Sequence, residues 1–145
     1  MLIRVIGEGG KVLVEATAFG RGQSRITGER RLLALLAFLY AYNVAWLRAH
    51  PEAPRLYDAG IKYKREARRG LEEWLSYPEL LARKIGDCED LGSAKAAERT
   101  VRDEIGALPA LHKKIVDGYY LYHVDTKRAD GRREDPSRVL GMGRG

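Results

Sequence analysis

Residues 32–47 carry no charge over sixteen positions and are bounded by Arg31 and Arg48. The run is longer than a usual strand of about 3–10 residues. It falls short of the ~20 apolar residues that span a bilayer, and it contains Asn43. Leu32, Leu33, Leu35, Leu36, Leu39, Tyr40, Val44 and Leu47 cover more than one face at helical spacing, so the run predicts a core helix buried on several sides. Thr27 is placed to cap it with Glu29 in the first turn, giving a helix over 28–50. Pro51 and Pro54 end it. A chain of 145 residues is long enough to build one domain around such a helix.

The flanking segments predict an α+β layout. Residues 2–6 and 12–19 read as strands joined by the turn-rich Gly7-Glu8-Gly9-Gly10. Residues 71–77 and 78–85 read as short helices, with Pro78 at a favoured first position and Gly86 as the stop. Asp87 can cap a helix over 88–105, along which Leu91, Ala94, Ala97, Val101 and Ile105 form one stripe. Residues 111–116 and 119–127 flank Asp117-Gly118, a strong hairpin signal. A second turn at Ala129-Asp130-Gly131 leads to a short strand ending near Asp135-Pro136. Hairpin, helices and a small antiparallel sheet follow in order within a single domain, 1–145.

Charge is unevenly spread. Residues 1–70 hold 13 Lys/Arg against 6 Asp/Glu, residues 71–105 hold 5 against 9, and residues 106–145 hold 8 against 5. The basic cluster Lys62-Tyr63-Lys64-Arg65 with Arg68-Arg69 reads as a solvated face, because no interleaved aromatic module accompanies it. Nucleic acid is therefore not the expected partner. No signal peptide pattern or membrane span is visible, which predicts an intracellular protein.

The single cysteine excludes an internal disulfide and multi-cysteine zinc sites. Cys88 is either a small buried hydrophobe or a reactive thiol. A helix start favours a thiolate, whereas Asp87, Glu89 and Asp90 around it oppose one. His123 and Asp135 follow in the order Cys, His, Asp, the set a thiol nucleophile needs for activation and orientation. Strand arithmetic adds a condition. Only a three-residue loop 129–131, pairing Arg128 with Arg132, puts Asp135 opposite Asp125 and on the face of His123. The Asp117-Gly118 turn likewise sets His112 opposite His123, where it reads as an ordinary strand residue or a partner of His123. His50 complements a helix C-terminus.

Gly86-Asp87-Cys88-Glu89-Asp90-Leu91, Tyr122-His123-Val124 and Glu134-Asp135-Pro136-Ser137 resemble the transglutaminase-like superfamily, a papain-like cysteine fold. Tyr57-Asp58-Ala59-Gly60-Ile61-Lys62-Tyr63 and residues 74–85 extend the resemblance, which covers residues 54–142. It is strongest to small members encoded by tailed bacteriophages. Val124 stands where members often carry an aromatic residue, and Asp-Pro-Ser stands for the commoner Asp-Pro-Thr. The resemblance implies a Cys helix packed on an antiparallel sheet carrying His and Asp. It makes Cys88 the nucleophile, His123 the general base and acid, and Asp135 the group orienting His123. The Cys88 N–H would be one oxyanion donor, with Tyr57, Tyr63 and Trp74 open as the second. The implied activity is acyl transfer on an amide of a protein or peptide, as thiol peptidase, deamidase or transglutaminase, with no cofactor and no metal. The competing class is a non-enzymatic phage assembly protein that keeps the fold, with virion proteins as partners. The implied location is the bacterial host cytoplasm or the virion. Residues 1–50 lie outside the familiar core.

Overall fold

A computed structural model describes residues 1–66 and 70–143. Arg68 and Arg69 of the basic cluster lie outside the described residues, as do the last two residues of the chain. The architecture is mixed α+β, with helices and several small sheets.

Strand β1 (Leu2–Ile6) pairs antiparallel with β2 (Val12–Thr17) through a 3₁₀ turn at Glu8–Gly10. Helix α1 (Arg25–Ala49) follows. Its cap is Ser24, whose hydroxyl accepts from the Thr27 N–H, so the helix starts three residues before the position expected from Thr27. By length and composition α1 is apolar enough to cross a membrane. Here it buries Leu32, Leu35, Leu36, Leu39, Asn43 and Leu47. The Asn43 carbonyl oxygen accepts from the Tyr77 N–H at 2.7 Å, which accounts for one polar residue inside the uncharged run.

Residues 71–77 correct the reading as a helix. Leu71–Leu75 form strand β4, parallel to β1 in register from Leu2↔Leu71 to Ile6↔Leu75. β1 is thus the central strand of a three-stranded sheet. Strand β3 (Lys62–Tyr63) pairs with β5 (Ile85–Gly86), and helix α2 (Tyr77–Arg83) lies between β4 and β5. α2 ends on Lys84 in the left-handed conformation (φ 62°), not on Gly86. Gly86 is instead a strand residue at which a side chain would strike Leu80.

Helix α3 (Cys88–Arg102) is the hub, packing on α1 and on the last sheet. It ends at Asp103, three residues before Gly106. All residues from Cys88 to Glu98 are buried, charged ones included. The last sheet runs β6–β7–β8: β6 (Ala107–Val116), β7 (Tyr119–Arg128) and β8 (Arg133–Glu134). The β6–β7 hairpin turns at Asp117 (φ 51°) and Gly118 (φ 80°), the two left-handed residues that a tight hairpin requires. β6 begins four residues earlier than expected. Helix α4 (Pro136–Val139) closes the described chain.

Candidate active site

Cys88 is the first residue of α3, and its surroundings are built by the acidic residues beside it. Asp87 caps the helix: its Oδ1 accepts from the Cys88 N–H at 2.7 Å, and Asp90 Oδ2 accepts from the Asp87 N–H at 3.0 Å. Together they form a capping box. The same carboxylates tie the helix to its neighbours. Asp87 Oδ2 accepts from the Glu66 N–H and Asp90 Oδ1 from the Leu75 N–H. This engagement takes the Cys88 N–H away from the oxyanion role that the resemblance gives it.

Cys88 is 8 % exposed and belongs to the core cluster that contains Leu32, Leu36, Trp74 and Val124. It donates to Glu89 Oε2 at 3.2 Å. Burial pushes its pKa well up, and the neighbouring Glu89 and Asp87 add to that, with the Val124 backbone acting in the opposite sense. Burial and the surrounding acids raise Glu89 and Asp90 well above the usual carboxylate range as well. Glu89 Oε1 has no hydrogen-bond partner among the described residues.

His123 lies on β7 and Asp135 just after β8. Their pairing follows from the loop that the sequence demanded. The β7–β8 register is Thr126↔Glu134 and Lys127↔Arg133, Arg128 donates to the Arg132 carbonyl, and Gly131 is left-handed at φ 88°. His123 Nε2 and Asp135 Oδ2 lie 2.9 Å apart. Arg138 Nε approaches the same oxygen at 3.4 Å, while Asp135 Oδ1 is buried with no hydrogen-bond partner among the described residues.

Cys88 and His123 line one cleft of about 1250 Å³, walled by the β6–β7 hairpin on one side and by Tyr63, Glu72 and Trp74 on the other. Among the described residues, however, the thiol hydrogen-bonds Glu89 and not His123. The structure therefore brings His123 and Asp135 together and sets Cys88 in the same cleft without joining it to them. Of the three candidate oxyanion donors, Tyr57 is outside the cleft lining. Its ring lies 3.7 Å from Lys95 Nζ and its hydroxyl donates to Glu134. Trp74 Nε1 donates to Glu72. Tyr63 stands against Asp87 and Cys88, and burial together with the Asp87 carboxylate raises its pKa to about 12.

A second pair repeats the first one strand over. His112 faces His123 across β6–β7, and His112 Nε2 lies 2.7 Å from Asp125 Oδ1. The diagonal His112–Asp125 thus has the same form as His123–Asp135. The register sum could have shown this, but the sequence reading stopped at His112 opposite His123. Glu89 as acceptor of its neighbour's thiol was also missed, because side-chain direction at a helix start is not reported by spacing. Asp87, Cys88 and Glu89 offer ligand atoms within 4.8 Å of one another. Both oxygens of Asp87 already accept amides, which makes the group a capping arrangement first.

No family model, curated protein or solved structure matches this chain.

Proposed function

We propose that this chain has a transglutaminase-like core and performs cysteine-dependent acyl transfer on an amide of a protein or peptide, with Cys88 as nucleophile, His123 as base and acid, and Asp135 as the group orienting His123. The observation that carries this reading is the His123 Nε2–Asp135 Oδ2 contact, made by a histidine that lines the same cleft as Cys88. With Nε2 taken by Asp135, Nδ1 is the nitrogen left to exchange a proton, and it has no partner among the described residues.

The chemistry follows from those roles. The thiol proton passes to His123 as sulfur bonds to the carbonyl carbon. The tetrahedral intermediate collapses by breaking the C–N bond, and the imidazolium gives its proton to the departing amine. Water or a second amine, deprotonated by His123, then attacks the thioester and frees Cys88. In the resting arrangement the S–H points at Glu89, so the side chain must turn toward His123 before attack.

A second reading is a non-enzymatic assembly protein that keeps the fold. The raised thiol pKa and the absent thiol–imidazole hydrogen bond favour it. An acyl donor separates the two. After incubation with p-nitrophenyl acetate, intact-mass and peptide mapping are expected to find acetyl on Cys88. His123→Ala should lose it, and Asp135→Asn, which leaves the imidazole in the wrong tautomer, should slow it by about a hundredfold or more. Equal acetylation of the native chain and His123→Ala overturns the enzyme reading.

A further inference from the structure

The β6–β7–β8 sheet has one edge left open beside Cys88. In an antiparallel strand the backbone groups of alternate residues point to opposite edges. Arg128 N–H donates to Arg132 O, so the even residues of β7 face β8; Ala129 N–H donates to Gly106 O, so the odd ones face β6. β8 covers only Thr126 and Lys127. Moving up β7 along the same edge comes Val124, which lines the cleft together with Cys88. Next come the amides of Tyr122 and Tyr120, which take no hydrogen bond on that side among the described residues. Five consecutive residues, Tyr120 to Val124, line the Cys88 cleft, more than one face of a strand could supply.

An open edge is a template for another strand, and proteins usually blunt it. This one is flanked instead by exposed apolar side chains, with Tyr119 75 % and Leu121 48 % exposed. Charge orders the cleft along its length. Arg25 and Lys114 line it near Tyr120, and Glu66, Glu72, Asp87 and Glu89, which outnumber Arg65, line it toward Cys88.

From this we infer that the Tyr120–Val124 edge of β7 is a docking rail for an extended polypeptide segment, which adds as a strand with acidic residues toward the hairpin tip and leads its next carbonyl to Cys88. Backbone pairing supplies the affinity, as in other cases of strand addition. The inference rests on the acyl-transfer reading only for the fate of that carbonyl; docking itself needs no chemistry.

The test uses the full chain carrying Cys88→Ser, so that nothing is turned over. The probe is a fluorescent peptide of alternating threonine and valine with two glutamates at one end, read by fluorescence anisotropy. Tyr120→Pro removes one outward N–H without touching the β6 ladder, and Tyr120→Ala removes the ring but keeps the N–H. Tyr120→Pro is expected to bind about tenfold more weakly than Tyr120→Ala, the size of one hydrogen bond. A peptide N-methylated on alternate amides should lose binding to the unaltered edge, a readout that does not depend on any edge variant folding. Lysines in place of the glutamates should weaken it several-fold at low salt and less at high salt. No binding of the glutamate peptide, equal binding of the N-methylated one, or equal affinity of the Pro and Ala variants overturns the proposal. So does a concentration-dependent dimer that the peptide competes with only weakly, which would assign the edge to a second copy of the chain. Peptide binding without Cys88 acetylation would keep the rail and sink the enzyme reading.

Discussion

Glu98 anchors the helix that carries Cys88, and its removal gives the sharpest test of the packing. The carboxylate is fully buried. It accepts from Lys95 Nζ at 2.6 Å, from the Leu56 N–H at 2.7 Å and from the Tyr77 hydroxyl at 2.9 Å. Lys95 is itself only 3 % exposed. Glu98→Ala leaves the Leu56 amide buried and unsatisfied, a loss of about 1–3 kcal/mol. It also leaves an ammonium without its counter-ion, about 3–5 kcal/mol. The two share one acceptor and overlap, so the expected loss is about 4–6 kcal/mol. That is comparable to the entire stability of a marginal domain, about 5–15 kcal/mol. Urea unfolding followed by the fluorescence of Trp46 and Trp74 should show a midpoint lower by about 2 M or more, or no folded baseline. Lys95→Met with Glu98→Gln removes the stranded charge and keeps an acceptor for Leu56 and Tyr77, and should recover at least half the loss. A Glu98→Ala chain within about 1 kcal/mol of the native one, or no recovery in the double variant, refutes the reasoning.

Three further outcomes are expected. At Gly92 a Cβ would meet Val124 Cγ1 at 2.9 Å and the Asp125 carbonyl oxygen at 3.2 Å, so Gly92→Ala should push α3 off β7. Overpacking of about 1–3 kcal/mol should outweigh the helix-propensity gain of about 1 kcal/mol, lowering the melting temperature. Glu134 bridges Arg99 and Arg128, which hold its pKa at about 2, below the usual carboxylate range. A depressed carboxylate stabilises the fold above its unfolded pKa and loses that contribution as pH falls from ~4.5 through about 2. After solvent screening this amounts to about 1 kcal/mol, absent from the acid-unfolding curve of Glu134→Gln. Ser24→Ala should cost about 1 kcal/mol in urea unfolding, and Thr27→Ala clearly less, since Ser24 carries the cap.

What the sequence made legible was local. Asp117-Gly118 fixes the β6–β7 register to the residue, and Gly131 fixes the next loop, so the His112–His123 and His123–Asp135 relations could be counted. Asp87 announced the start of α3. What stayed hidden was non-local. Leu71-Glu72-Glu73-Trp74-Leu75 breaks strand alternation, and it becomes a strand because β1, some seventy positions earlier, offers a parallel partner. The charged residues of α3 are buried because amides from elsewhere in the chain, Leu56 and Leu75, accept the role of partner. No spacing rule reports such a meeting. The position of Cys88 could be read, but the direction of its thiol could not.

That direction exposes a conflict between two demands on one helix start. A nucleophilic thiol gains from the free N–H groups and positive end of the helix. A helix beginning in the interior needs those N–H groups satisfied at once. Asp87 takes the Cys88 N–H, Asp90 reaches back to close the box, and Glu89 comes in beside the sulfur. The capping that makes α3 stable therefore surrounds the thiol with acidic groups that oppose a thiolate. A preformed thiolate–imidazolium pair does not suit this environment. On the proposed acyl-transfer reading, chemistry at Cys88 would start from the neutral thiol, with His123 removing the proton only as the carbon–sulfur bond forms. Glu89→Gln discriminates between these starting points. Replacing the carboxyl that accepts the S–H by an amide that cannot ionise and can offer an N–H to the sulfur should speed alkylation of Cys88 by iodoacetamide near neutral pH, because it makes the thiolate easier to reach. If a preformed ion pair already held the thiolate, that rate would be fast in the native chain and indifferent to the substitution.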